Sequence, residues 1–401
     1  MRHLHVSGLR SGLAAAAAAL LGLTLLASPA GAHLPDRDPR PTLPVPTTAT
    51  VTAAQLGPNS VLAVVSHGNF EKLHAKGLAR SLEVITPDGV RHPVWTVAVE
   101  ESRRGWYHGD FTLADWRPEL HTALLRVSLG AQGDKAVAYD VVTGATHEVV
   151  LPEQASTIGL APDGSGVLLT TYPTRSRSGR VVRQGWDGAT SGITGRSDGA
   201  AITSPDGTLL VTNEGAAKRW WIVDPVARTS TSVDTPGDCR PHRWFDDGSL
   251  VATCSTGRLG SQLREVDLDG SWSPLGIRHT DRTRRLGAPI FNDEDVRTVR
   301  GTRWYESYGG CGGGVLTRQN RAGGARVVPV PGRVGALTLV GTRGDDLLVA
   351  IQRTECGSWP DRAVLSTFDP VGRTETVLTR LGRTESWREV VPAAEVRAWI
   401  W

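Results

Sequence analysis

The chain has 401 residues, a formal net charge of +3, 39% hydrophobic side chains, 46 Gly, 24 Pro and four Cys. Residues 1–32 hold two Arg and no acidic residue, so the remainder carries only +1. Near-neutrality excludes a nucleic-acid or anionic-membrane partner found by bulk charge, and the length exceeds one ordinary core unless the fold is built from repeats.

At the N-terminus, Arg2 and Arg10 accompany a nearly unbroken apolar run from Leu13 to Ala27. Ala30-Gly31-Ala32 then supplies small residues at the positions a signal peptidase reads. This predicts a secretory signal peptide over 1–32, cleaved before His33. The run is short for a membrane anchor, and no later stretch is apolar enough to span. The expected mature protein is secreted, with the cell envelope as the other possible location. Residues 33–57 carry Pro35, Pro39, Pro41, Pro44 and Pro46 and read as an extended linker.

From Pro58 onward, short runs rich in Val, Leu, Ile and Thr alternate with Gly, Asp and Pro punctuation, and helical periodicity is nearly absent. That pattern predicts an all-β domain over 58–401. Two kinds of turn alternate. Asp163-Gly164, Asp206-Gly207 and Asp247-Gly248 each lie between apolar runs, where a tight hairpin needs positive φ. The other turn follows an Asp that closes a strand, at Asp140, Asp187, Asp224, Asp267 and Asp369, with weaker copies at Asp88-Gly89 and Asn320–Gly324. The seven copies are spaced 37 to 53 residues apart. A period near 40 to 50 with four strands per unit predicts a β-propeller of seven four-stranded blades. The weak copies leave six or eight open. The Asp-Gly hairpin is assigned to strands a and b of each blade, and the second hairpin to strands c and d. The first blade lacks an a strand before Pro58, whereas Trp387–Pro392 is a spare strand. It is expected to close the ring as the inner strand of the first blade, with Glu395–Trp401 packing on the ring.

Ser204-Pro-Asp-Gly-Thr-Leu-Leu-Val211 and Ala161-Pro-Asp-Gly-Ser-Gly-Val-Leu-Leu169 resemble the repeat of TolB-like, WD40-like bacterial propellers. The resemblance covers roughly residues 60–385. It implies an extracytoplasmic propeller that binds a protein or another ligand, and it implies no shared catalytic residues.

Four cysteines in an exported chain predict two disulfides. Cys239 and Cys254 lie almost symmetrically about the turn at 246–248, so they face each other across a hairpin. Cys311 and Cys356 remain, each in a b–c loop, and their bond would clip adjacent blades. No cysteine or histidine spacing suits a metal, and no cofactor is expected.

Binding is expected on the face of the b–c and d–a loops. Three long segments bring Arg175, Arg177, Arg303, Trp304, Tyr305, Tyr308, Trp359 and Arg362 to that rim. Trp, Tyr and Arg are the residues enriched in binding hot spots. The competing reading has the aromatics covering blade junctions and the arginines solvated. Gly195-Arg-Ser197-Asp-Gly199 matches G-x-S-x-G, but a strand follows it where a nucleophile elbow needs a helix. Asn292–Asp295 falls at an expected a–b turn and reads as a solvated acidic turn before it reads as a Ca²⁺ site. The leading expectation is a secreted, monomeric binding propeller for a protein, peptide or glycan. The alternative is an extracytoplasmic hydrolase or lyase with a site in the central channel.

Overall fold

A computed structural model describes residues 45–68, 77–101, 107–171, 179–246, 248–255, 261–277, 293–308, 314–320, 324–330, 336–352, 363–393 and 395. The described chain is almost entirely β. Its strands form seven antiparallel sheets, the seven blades of a propeller.

Blade 1 is built from both ends of the chain. Glu385–Pro392 is its inner strand and pairs with Val61–His67, which is followed outward by Ala79–Ile85 and Arg91–Ala98. The spare C-terminal strand therefore closes the ring, with Val61 opposite Pro392 and His67 opposite Glu385. Blade 2 runs Tyr107–Arg117, Thr122–Leu129, Asp134–Asp140 and Thr146–Val150, with the two-residue strand Glu100–Glu101 added at its inner edge. Blades 3 to 7 follow in chain order, with inner strands Ala155–Leu160, Ala201–Thr203, Asp238–Trp244, Asp293–Val299 and Ala336–Arg343.

The second strand of a blade is buried on both faces, and in blades 1 and 7 it reads as an unbroken apolar run, Val61–Val65 and Leu347–Ile351. Leu62 and Val64 face blade 2, while Val61, Ala63 and Val65 face blade 7. Leu210 turns to blade 3 and Val211 to blade 5; Leu250 turns to blade 4 and Val251 to blade 6. The described core accordingly divides into seven clusters, one at each junction between neighbouring blades. Buried indoles stitch the same junctions. Trp244 donates to the Thr203 carbonyl and Trp220 to the Cys239 carbonyl, both at 2.8 Å.

The turns have the chemistry that their residues predict. Gly164 and Gly207 sit at φ 67° and 71° in a–b turns. Asp140 accepts the Val142 and Thr143 amides at 2.8 and 3.0 Å, and Asp224 accepts those of Val226 and Ala227 at 2.9 and 2.8 Å. An aspartate at the end of the c strand thus satisfies amides that the turn leaves unpaired. Cys239 and Cys254 are directly opposite in blade 5 and form a disulfide. Cys311 and Cys356 lie outside the described residues.

Two expectations are corrected. Of the expected a–b turn at Asn292–Asp295, Asn292 lies outside the described residues, and Asp293–Asp295 belong to the inner strand of blade 6; the turn comes later, at Arg300-Gly301. Asp293 and Asp295 are buried, because the inner strand starts earlier than its sparse apolar residues suggest. The last part of the proline-rich segment is also tied to the ring. Thr47–Thr48 pairs with the outer strand of blade 1, and the Val51 amide donates to the Val141 carbonyl at 2.9 Å. Val51 is buried there among side chains of blades 1 and 2, which explains why this stretch is held. Beyond the closing strand, Glu395 meets Arg297 of blade 6 at 2.7 Å, and 396–401 lie outside the described residues.

Candidate functional site

Half of the expected rim, Arg175, Arg177, Trp359 and Arg362, lies outside the described residues. The other half sits on one strand, Thr302–Tyr308, the second strand of blade 6. Trp304 and Tyr305 are only 2% and 1% exposed. Trp304 enters the junction with blade 7 and Tyr305 the junction with blade 5. These two are therefore core residues and do not form a loop rim. A strand buried on both faces accepts large apolar side chains at successive positions, and here they cover the blade junctions. Arg303 is exposed, and Tyr308 is half-buried opposite Gly314.

The G-x-S-x-G match is also structural. Ser197 ends the strand Thr190–Ser197, is fully buried, and accepts the Gly199 amide at 3.0 Å.

A cavity of about 300 Å³ lies between the inner strands of blades 1 and 2. Asp110, Phe111 and Thr112 line it from the inner strand, and Arg126, Ser128 and Asp134 from the next two strands. Arg388, on the ring-closing strand, supplies the opposite wall. Most of these groups are committed. The buried Arg80 holds Asp110 at 2.8 Å, and Arg126 holds Asp134 at 2.6 Å. Arg126 also donates to the Ala155 carbonyl of blade 3 at 3.2 Å. Arg388 differs. Its neighbours Trp387 and Glu389 are buried while Arg388 is exposed, and it has no hydrogen bond or ion pair among the described residues.

A second polar cluster lies at the junction of blades 7 and 1. Ser81 Oγ is 2.7 Å from His67 Nε2, and His67 Nδ1 is 3.0 Å from Glu385 Oε1. These distances match a serine–histidine–acid arrangement. Its surroundings do not. Ser81 is 1% exposed, and its hydroxyl donates to Glu83 Oε1 at 2.7 Å. A hydroxyl whose proton goes to Glu83 has none to give His67, so the serine is not primed to attack. Arg91 bridges Glu83 and Glu385 at 2.6 and 2.8 Å. Burial opposes the charge on Glu385, but bonds from Arg91 and the Gly382 amide prevail and hold its carboxyl below the usual range. The cluster ties the C-terminal strand to the N-terminal blade. Nothing in the sequence announced it, because its five members are spread over four strands.

Two further carboxylates are strongly perturbed. Burial pushes Asp115 up to about 6 and Glu389 up to about 7. Perturbed carboxylates in a cleft are candidate acids or bases. Each of these, however, is enclosed and accepts an amide of the next blade, Leu160 for Asp115 and Leu113 for Glu389. Among the described residues no group of three or more His, Cys, Asp or Glu is arranged to hold a metal.

No family model matches the chain, and no curated protein matches it in sequence. Among solved structures it is similar to the dihydro-heme d1 dehydrogenase NirN, at 14% identity and TM-score 0.49, over 90% of this chain and 83% of that one. It is also similar to the acylaminoacyl peptidase of Pyrococcus horikoshii, at 12% identity and TM-score 0.48, over 84% of this chain and 52% of that one. The β-propeller domain of the trilobed protease from Pyrococcus furiosus matches at 9% identity and TM-score 0.36, over 67% of this chain and 98% of that domain. No residue's role is taken from these similarities.

Proposed function

We propose that this chain is an exported binding propeller that takes its ligand in the cavity between the inner strands of blades 1 and 2. The observation that carries this reading is Arg388, a guanidinium with no hydrogen bond or ion pair among the described residues, on the wall of a polar cavity. A cation left uncompensated beside a cavity is a ready anchor for a ligand group. The size of the cavity suits one sugar ring, one side chain or one chain end of a glycan, peptide or protein. Export rests on Arg2, Arg10, the apolar run to Ala27 and Ala30-Gly31-Ala32.

A hydrolase or lyase at the channel is the alternative. It needs a carboxylate in the cavity that is free to take or give a proton. Asp110 and Asp134 are each tied to an arginine, which favours binding over catalysis.

The test is to probe glycan and peptide arrays with the purified protein and with Ser128→Trp, which fills the cavity. Capture by the wild type and loss in the variant, with folding retained, is the expected result. Equal capture by both would place binding elsewhere.

A further inference from the structure

We propose that the cavity between blades 1 and 2 takes a carboxylate, anchored on the guanidinium of Arg388. This rests on reading that cavity as the binding site, and it adds the chemical class of the ligand.

Charge balance comes first. Among the described residues, three arginines, two aspartates and the buried Glu389 stand at or directly behind the cavity. Arg80 is used by Asp110 and Arg126 by Asp134, and burial keeps the neighbouring Glu389 protonated up to about pH 7, which below that pH leaves one positive charge on Arg388. A monoanion neutralises the site. A dianion such as phosphate brings a second charge toward Asp110 and Asp134, which repel it. The planar guanidinium fork also matches the two oxygens of a carboxylate.

Hydroxyl chemistry points the same way. Ser128 Oγ accepts the Gly130 amide at 3.2 Å, so its own proton remains to be donated. Thr112 lines the same wall and adds a second hydroxyl. Donors therefore surround the place where an acid group would sit. The aspartates can accept from hydroxyls or amides elsewhere on the ligand, because a carboxylate keeps further lone pairs after one ion pair. A plain hydrocarbon acid would leave them unused.

Arg388 is well placed to act without being needed for the fold. It is exposed, whereas the carboxylate beside it, Glu389, belongs to the packed interior. Its removal leaves no hydrogen-bonded partner behind among the described residues.

Two sources offer this chemistry, a sugar acid and the C-terminal end of a peptide. The test measures binding by calorimetry for matched pairs: glucuronate against glucose, and acetyl-trialanine against its C-terminal amide. Inorganic phosphate is a further arm. The expected result is binding by at least one acid, weakened about tenfold or more in its neutral counterpart. Arg388→Gln should weaken that acid by about tenfold or more, and Arg388→Lys by less. The melting temperature of Arg388→Gln should stay within about 2 °C of wild type, as for an exposed site. The acid that binds names the source. The proposal is overturned if neither acid binds up to about 10 mM, if phosphate binds more tightly than both, or if Arg388→Gln binds like wild type. In the last two cases, binding that Ser128→Trp abolishes keeps the cavity as the site and rejects only the carboxylate. Binding that survives Ser128→Trp rejects the cavity itself.

Discussion

Glu389, on the strand that closes the ring, accepts the amide of Leu113 on the next blade's inner strand at 2.8 Å. Asp115 repeats the device one blade further on, accepting the Leu160 amide at 2.8 Å. Side-chain carboxylates thus join blades 1, 2 and 3 at their inner edges, where no backbone ladder runs between sheets. Both groups are buried, and burial raises both above their ordinary values despite the hydrogen bonds.

That relationship sets a pH dependence. The folded value for Glu389 is about 7 against an ordinary 4.5. The folded state therefore keeps a proton that the unfolded chain releases across that interval. The contribution to stability is complete below about pH 4.5 and is lost as the pH rises to about 7. Glu389→Gln keeps an oxygen for the Leu113 amide and carries no charge. Relative to wild type, this variant should gain stability between pH 5 and pH 8, by at most about 3 kcal/mol. Chemical denaturation at both pH values measures the difference. An offset that is the same at both would contradict it.

Trp304 supplies a second expectation. At 2% exposure it fills the junction of blades 6 and 7, with Arg318 stacked 5.8 Å from its ring centroid. Trp304→Ala should cost about 3–5 kcal/mol by opening a cavity. Arg303→Ala, on the exposed neighbour, should cost only about 1 kcal/mol, the worth of its hydrogen bond to Tyr305. A Trp304→Ala protein that stays fully stable and loses only ligand binding would restore the rim reading.

The contrast between these neighbours shows what the sequence made legible. Asp-Gly turns, the strand-closing aspartates and the leftover strand at 387–392 are local signals, and they announced seven blades and the closure. The Cys239–Cys254 register was legible because a hairpin fixes which residues face each other. The site was not legible. Thr302–Tyr308 is flanked by glycine and mixes Arg, Glu and Ser with its aromatics, so it reads as a loop. Burial on both faces removes the alternation that would have marked it as a strand. Asp110, Arg126 and Arg388 are single polar residues in separate strands; the blade 2 hairpin joins the first two, and only the closure of the ring brings Arg388 to them.

The disulfide gives a third expectation. It closes a loop of 15 residues in sequence, and both cysteines are buried in blade 5. By the chain-entropy model such a closure stabilises by roughly 3 kcal/mol. Replacing both cysteines with alanine should lower stability by about 2–3 kcal/mol. Because the sulfurs are enclosed, reductant should open this bond in the folded protein no faster than global unfolding. Mass spectrometry after alkylation in reductant follows the reaction. Rapid alkylation of Cys239 under native conditions would show that blade 5 opens locally.

The Arg91 cluster separates a structural serine from a reactive one. If Ser81 is a hydrogen-bond bridge, a fluorophosphonate probe should leave it unmodified, as peptide mapping would show. Arg91→Ala removes the guanidinium that bridges Glu83 and Glu385 and leaves His67 alone between them, which should cost on the order of 3 kcal/mol. The damage should concentrate where Glu385 anchors the ring. Amide exchange should therefore quicken in Glu385–Pro392 and its partner Val61–His67 before it quickens in blades 3 to 5. Adding Glu385→Gln to Arg91→Ala removes one of the stranded charges and should recover part of the loss. Uniform acceleration across all blades would mean that closure and ring unfold as a single unit. Labelling of Ser81 would mean that the serine–histidine–acid geometry is chemically competent after all.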